Sequence, residues 1–143
     1  KVRAETVRAE TVQAETVQVE TIPKMNKMNF RKLEIWQRAC GLSCSSYEIT
    51  KETRDFGFKD QITREGLSIP SNIAEGVERE SIKEQIRFLY ISKASAAEVI
   101  TQLTIGIKIG HLSEERGGKL IKEAESIMMM TAALIRKKKM LLN

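Results

Sequence analysis

From Asp60 to Val77, the residues Ile62, Gly66, Ile69, Ile73 and Val77 recur at spacings of three and four. That spacing is one buried face of a helix. Pro70 falls inside the run. Proline lacks a backbone N–H, and its ring presses on the carbonyl four residues back, here that of Gly66. The apolar register does not slip across Pro70, so the pattern predicts one kinked helix rather than two.

The same kind of periodicity organises the chain from Asn29 onward. A first helix is predicted from about Phe30 to Lys51, burying Phe30, Leu33, Trp36, Cys40, Ser43 and Tyr47. Phe56-Gly57-Phe58 reads as the first interhelical turn. The proline-containing helix is expected to end between Gly76 and Glu80, with Gly76 as a stop signal. Ser81, with Glu84 three residues on, is a capping-box start. Ile82, Ile86, Leu89, Lys93, Ala97, Ile100 and Ile107 then mark a third helix reaching about Ile109. Gly110 reads as its C-cap and Ser113 as the next N-cap. The fourth helix is expected to bury Leu120, Ala124, Ile127, Met128, Thr131, Leu134 and Ile135, with Gly117-Gly118 as its weak point. Four helices of about 20 to 28 residues joined by short turns predict an all-α, antiparallel up-down-up-down bundle over residues 28–143.

Residues 1–27 follow no such pattern. The first 22 are a low-complexity repeat, VRAET, VRAET, VQAET and VQVET, followed by Ile22 and then Pro23. A period of five turns each valine by about 140° around a helix and flips it between the faces of a strand, so no stripe forms. The segment is expected to be a flexible tail.

The chain carries a formal net charge of +5 and a pI near 9.3. Lys1, Arg3, Arg8 and Lys24 are offset by Glu5, Glu10, Glu15 and Glu20, so the positive balance belongs to residues 25–143. This admits an anionic partner without demanding one. The cations singled out as candidates for nucleic acid are Arg64, Arg79, Lys83, Arg87, Lys93 and Lys108, then Arg136, Lys137, Lys138 and Lys139. Clustered cations bind phosphates by counterion release without base contacts. The competing explanation is solvated helix faces with partners such as Glu80 and Glu84, and favourable placement of the last run at a helix C-terminus. Few aromatics are available for stacking, which argues against sequence-specific single-strand recognition.

Catalytic chemistry is not indicated. No GxxxxGK[ST], GxSxG, HExxH or CxxC motif occurs, and His111 is the lone histidine, set in a turn. Cys40 and Cys44 sit four apart on one helical face. A disulfide is awkward at that spacing and a zinc site would need two more ligands, so both read as ordinary reduced thiols. No enzyme activity, cofactor or metal is expected. No apolar stretch is long enough to span a bilayer, and no signal-peptide apolar region occurs, so the cytoplasm is the expected compartment. Ser68, Ser71, Asn72 and Glu75 around Pro70 admit two readings, backbone satisfaction at a packing or subunit contact, or the lining of a ligand groove. The first is preferred, because nothing reactive accompanies them.

The stretches FRKLEIWQRA, DQITREGLSIPSNIAEG, RFLYISKASAAEVITQL and IGHLSEE together resemble the four-helix-bundle family encoded in intervening sequences of bacterial 23S rRNA genes. That family looks related to the accessory variability proteins of diversity-generating retroelements. The resemblance covers about residues 28–138. It implies a small cytoplasmic bundle assembled as a ring, a homopentamer, with a positive surface able to bind RNA or DNA. In the retroelement branch it also implies a reverse-transcriptase partner. The family has no established catalytic residue. Ser68, Pro70, Asn72, Glu75 and Gly76 match its most recognisable motif and are assigned a structural role. Thr63 and Glu65 stand where an arginine and small alanines are expected, which weakens phosphate binding there. The functional expectation is a non-enzymatic, homo-oligomeric nucleic-acid-binding bundle. Its alternative is a protein-interaction scaffold or reverse-transcriptase accessory subunit whose charge is incidental.

Overall fold

The computed structural model describes residues 29–142, so the repeat and the remainder of the expected tail lie outside the described residues. A 3-10 turn, Phe30–Lys32, precedes four α-helices: α1 (Glu34–Ile49), α2 (Phe56–Glu78), α3 (Ile82–Lys108) and α4 (Glu114–Met140). Each helix packs on its chain neighbours, and α4 closes the ring against α1. The architecture is the expected all-α, up-down-up-down bundle. The 3-10 turn lies against α1 and the end of α2.

Local chemistry sets the helix ends. Asn29 Oδ1 accepts from Arg31 N–H at 3.1 Å, and Leu33 is extended. The first helix therefore begins at Glu34, not Phe30, and at 16 residues falls short of the expected range. Phe56-Gly57-Phe58 is not a connecting turn but the first turn of α2, because Asp55 Oδ1 caps it by accepting from Phe58 N–H at 3.1 Å. Ser81 and Ser113 cap α3 and α4 as expected, accepting from the N–H groups of Glu84 and Arg116, each at 3.1 Å. Gly110 has φ +80°, the His111 N–H returns to Gly106 O (2.9 Å) and the Gly110 N–H to Ile107 O (3.1 Å). That pair of bonds is a Schellman ending, which favours glycine at the left-handed position.

α2 buries Ile62, Gly66, Ile69, Pro70, Ile73, Gly76 and Val77, and the expected face runs through the proline unbroken. Gly76 does not stop the helix. It lies within it, where a Cβ would come 3.1 Å from Gln85 O and 3.3 Å from Phe88 Cβ, so it admits the first turns of α3. α4 buries Ala124, Ile127, Thr131 and Ile135, all expected, with Leu120, Met128 and Leu134 half-buried beside them.

Two faces differ from expectation. α1 buries Ile35, Ala39, Leu42, Ser43 and Ser46, whereas Phe30, Leu33, Trp36 and Cys40 are only partly covered and Tyr47 is exposed. α3 buries Ile86 and Leu89 as expected, but then Ser92, Ser95, Ala96, Val99 and Leu103, leaving Lys93, Ala97 and Ile100 at the margin. Apart from the expected Ser43, Ile86 and Leu89, the buried face of each lies about one residue round the helix and contains small hydroxyl residues. These are inexpensive to bury when their hydroxyls find a partner, either across a helix seam or on a backbone carbonyl of their own turn. Ser46 Oγ donates to Ser43 O, Thr50 Oγ1 to Ser46 O and Thr131 Oγ1 to Ile127 O, at 2.6–2.7 Å.

Candidate nucleic-acid interface

Antiparallel connectivity sends the start of α1, the α2–α3 turn and the end of α4 to one end of the bundle. Two bonds fix this. Lys138 Nζ donates to Gln85 Oε1 at 2.8 Å, and Lys139 Nζ donates to the Tyr90 hydroxyl at 2.7 Å. Nine cations collect at this end: Arg31, Lys32, Arg79, Lys83, Arg87, Arg136, Lys137, Lys138 and Lys139. They face five carboxylates, Glu34, Glu75, Glu78, Glu80 and Glu84. Over the rest of the described residues ten Lys and Arg are matched by ten Asp and Glu. The net positive charge of the described bundle thus resides at one end.

Seven of the ten cations named from the sequence meet there, and Lys93 lies one turn beyond Tyr90 on α3. Lys108 does not join them, since α3 carries it about 37 Å along the axis from Lys83. Arg64 lies exposed in mid-α2, beside Glu65. The cations that gather are not equally free. Arg79 pairs with Glu75 (3.4 Å) and Arg87 with Glu84 (3.3 Å). Burial beside Gln85 lowers the Lys138 pKa. Lys83, Arg136 and Lys137 are exposed and form no ion pair with another described residue.

Aromatic rings are set among these charges. Arg79 and Arg87 place their guanidinium carbons 4.6 and 5.5 Å from the Phe88 ring centroid. Lys139 Nζ lies 5.2 Å from the centre of the Tyr90 ring, and Tyr90 is 42% exposed. The hydrogen bond from Lys139, then the charges of Lys139 and Lys93, lower the Tyr90 pKa against some desolvation. Sequence reasoning missed Arg31, Lys32 and Tyr90. It grouped cations by helix, whereas the signal lay in which helix ends share a side of an up-down-up-down bundle.

Most of the SIPSNIAEG motif runs away from this end, along the α2–α3 seam, and only its last residues reach the basic end. Ser68 and Ser95 hydroxyls meet at 2.8 Å, Ser92 Oγ donates to Ile69 O at 2.8 Å, and Asn72 Nδ2 donates to Ser68 O at 2.8 Å. The side-chain donors expected to satisfy the carbonyl freed by Pro70 land on Ser68 and Ile69, not on Gly66. Glu75 serves as the partner of Arg79. At the opposite end, Asp55 Oδ2 meets His111 Nε2 at 3.0 Å, which ties the α1–α2 loop to the α3–α4 loop. An open cleft of about 280 Å³ lies toward that end, lined by Ser45, Glu48, Ile49, Arg116, Lys119 and Leu120. Cys40 and Cys44 are unbridged, and burial raises the Cys40 thiol pKa. Among the described residues no group of three or more His, Cys, Asp or Glu is placed to hold a metal, and no helix is long and apolar enough to cross a membrane.

Fold and surface define a class: a small four-helix bundle whose charge is concentrated at one end. Residues 31–133 match the family described as 23S rRNA-intervening sequence protein, and the chain belongs to that family. Among solved structures it is similar to a protein of unknown function from the S23 ribosomal protein family of Bacteroides thetaiotaomicron. That likeness has a TM-score of 0.68 at 22% identity and covers 71% of this chain and 97% of the other. It speaks to the fold. Comparison with curated proteins gave no match. Neither relationship indicates an enzymatic family.

Proposed function

We propose that this chain is a non-catalytic protein that binds RNA or DNA through the basic end of its bundle. The observation that carries this reading is the segregation of charge: nine cations against five carboxylates at one end, and an even balance elsewhere. Solvated helix faces alone would scatter the excess along the bundle. Concentrated at one end, the charge gives a field that draws a polyanion to a defined place. The protein acts as a homo-oligomer in this reading, as its family resemblance implies. Leu67, Ile91 and Ile105, exposed at 48%, 38% and 48% on the outer faces of α2 and α3, supply apolar surface for self-contact. Light scattering on the purified chain measures that mass directly.

The test of binding is titration of nuclease-treated protein with a structured RNA and a duplex DNA across a salt series. The expected result is a linear fall of log affinity with log salt, of slope about −3 to −5 for four to six neutralised phosphates. Absence of binding to both at the lowest salt overturns the reading.

A further inference from the structure

The charge at the basic end explains attraction to phosphate but not the setting of Tyr90. Lys83, Arg87, Tyr90 and Ala94 follow one another at spacings of four, three and four along α3, and all four are exposed. They form a single outward stripe. Tyr90 therefore stands in line with two cations, with Lys139 from α4 at its hydroxyl and Lys93 one turn beyond. Phe88, two residues earlier, points differently and is flanked by Arg79 and Arg87. A tether between α3 and α4 would need only the Tyr90 hydroxyl. Here the residue is left 42% exposed amid cations while its hydroxyl is anchored.

Resting on the nucleic-acid reading above, we infer that Tyr90 is a stacking platform for an unpaired base, and that the ligand of the basic end is a single-stranded segment of nucleic acid. The neighbouring phosphates lie on Arg87 and Lys83 along α3 and on Lys93 and Lys139 beside the ring. Every base has a π-face, so such a platform takes any sequence, and the surrounding cations track the backbone. A duplex offers the same phosphates but keeps its bases stacked on one another, and so gains nothing from the ring.

The experiment compares fluorescence anisotropy of labelled 12-nucleotide oligo(U) and oligo(dT) with a 12-base-pair duplex, using the full chain and its Tyr90 variants. Loss of the ring in Tyr90→Leu is expected to weaken single-strand binding about tenfold and to leave duplex binding within about twofold. Tyr90→Phe keeps the platform and stays within about twofold of the parent, and Tyr90→Trp binds at least as tightly. Losses of similar size on both oligonucleotides place the contact at the base and support the site. A loss on oligo(U) alone overturns it, because a platform that stacks any base must act on oligo(dT) as well.

Unchanged single-strand affinity in Tyr90→Leu, with salt-dependent binding intact, overturns the platform while the basic-end reading stands. A loss shared equally by Phe and Leu, or by duplex and single strand, also overturns it. If the parent binds none of the three probes at low salt, both readings fall together. Thermal melts by circular dichroism accompany each variant. Tyr90 lies outside the buried core, so they are expected to agree within a few degrees.

Discussion

Gly106 and Gly118 are both helical glycines, and the space around them assigns them opposite roles. A Cβ on Gly106 would lie 2.7 Å from Leu112 Cδ1 and 2.7 Å from Phe58 Cζ, and its carbonyl already accepts from His111 and Leu112. Two side chains from different elements would have to move together. Gly106→Ala is therefore expected to lower stability by about 1–3 kcal/mol, the usual cost of overpacking, measured as a shift of the urea midpoint. Gly118 has nothing within 4 Å of its would-be Cβ. There alanine only removes backbone freedom from the unfolded chain, so Gly118→Ala is expected to raise stability by about 0.4–1 kcal/mol. The Gly117-Gly118 pair that the sequence marks as a weak point is thus two different residues. Gly117 sits 2.7 Å, by the same measure, from Ile107 Cδ1 and permits α4 to approach α3. Composition shows the pair but not which of the two is crossed by a neighbour.

Element by element, the face of α2 was legible because its contacts are isoleucines and glycines at helical spacing. The faces of α1 and α3 were not, and the reason is chemical. An apolar-periodicity reading follows Trp36, Tyr47 and Ile100 and, although it takes in Ser43, passes over Ser46, Ser92 and Ser95. The last two are buried because they bond across the α2–α3 seam, to Ile69 O and to Ser68 Oγ. The same seam carries an electrostatic cost. Burial, then the charge of Glu98, raises the pKa of Glu65, against the opposing pull of Ser95 and Arg64. Because the folded state holds that proton more tightly than the unfolded chain does, stability falls as pH rises from the ordinary glutamate value through the raised one. At neutral pH the ionised Glu65 works against the fold. Glu65→Gln is accordingly expected to raise the melting temperature at pH 7 by a few degrees. The gain should shrink to nothing by about pH 3, below the ordinary glutamate pKa of about 4.3, where the carboxyl is protonated in both states. A gain that stayed constant across that range would mean that the carboxylate charge is not the cause.

At the scale of the whole molecule, the cations were legible and their convergence was not. Ten lysines and arginines stand out in the sequence, but Lys108 and Arg136 look alike there, and only the bundle's connectivity sends them to opposite ends. That difference is what a binding measurement can isolate. Replacing Arg136, Lys137 and Lys83 with glutamine removes three exposed cations from the basic end. Replacing Lys51, Arg54 and Lys108 removes three exposed cations from the other end. Both triple variants change the net charge of the chain by the same amount, so a purely global attraction would weaken them equally. If the ligand sits at one end, only the first variant loses phosphate contacts, and its log–log salt slope for a single strand becomes shallower by about 2. The second is expected to keep the parent slope and lose affinity by less than about threefold, since its charges lie beyond a Debye length of about 8 Å from the bound strand at physiological salt. Equal slopes in the two variants would show that the charge acts through its sum rather than its place. That result would remove the ground on which the basic end is assigned the interface.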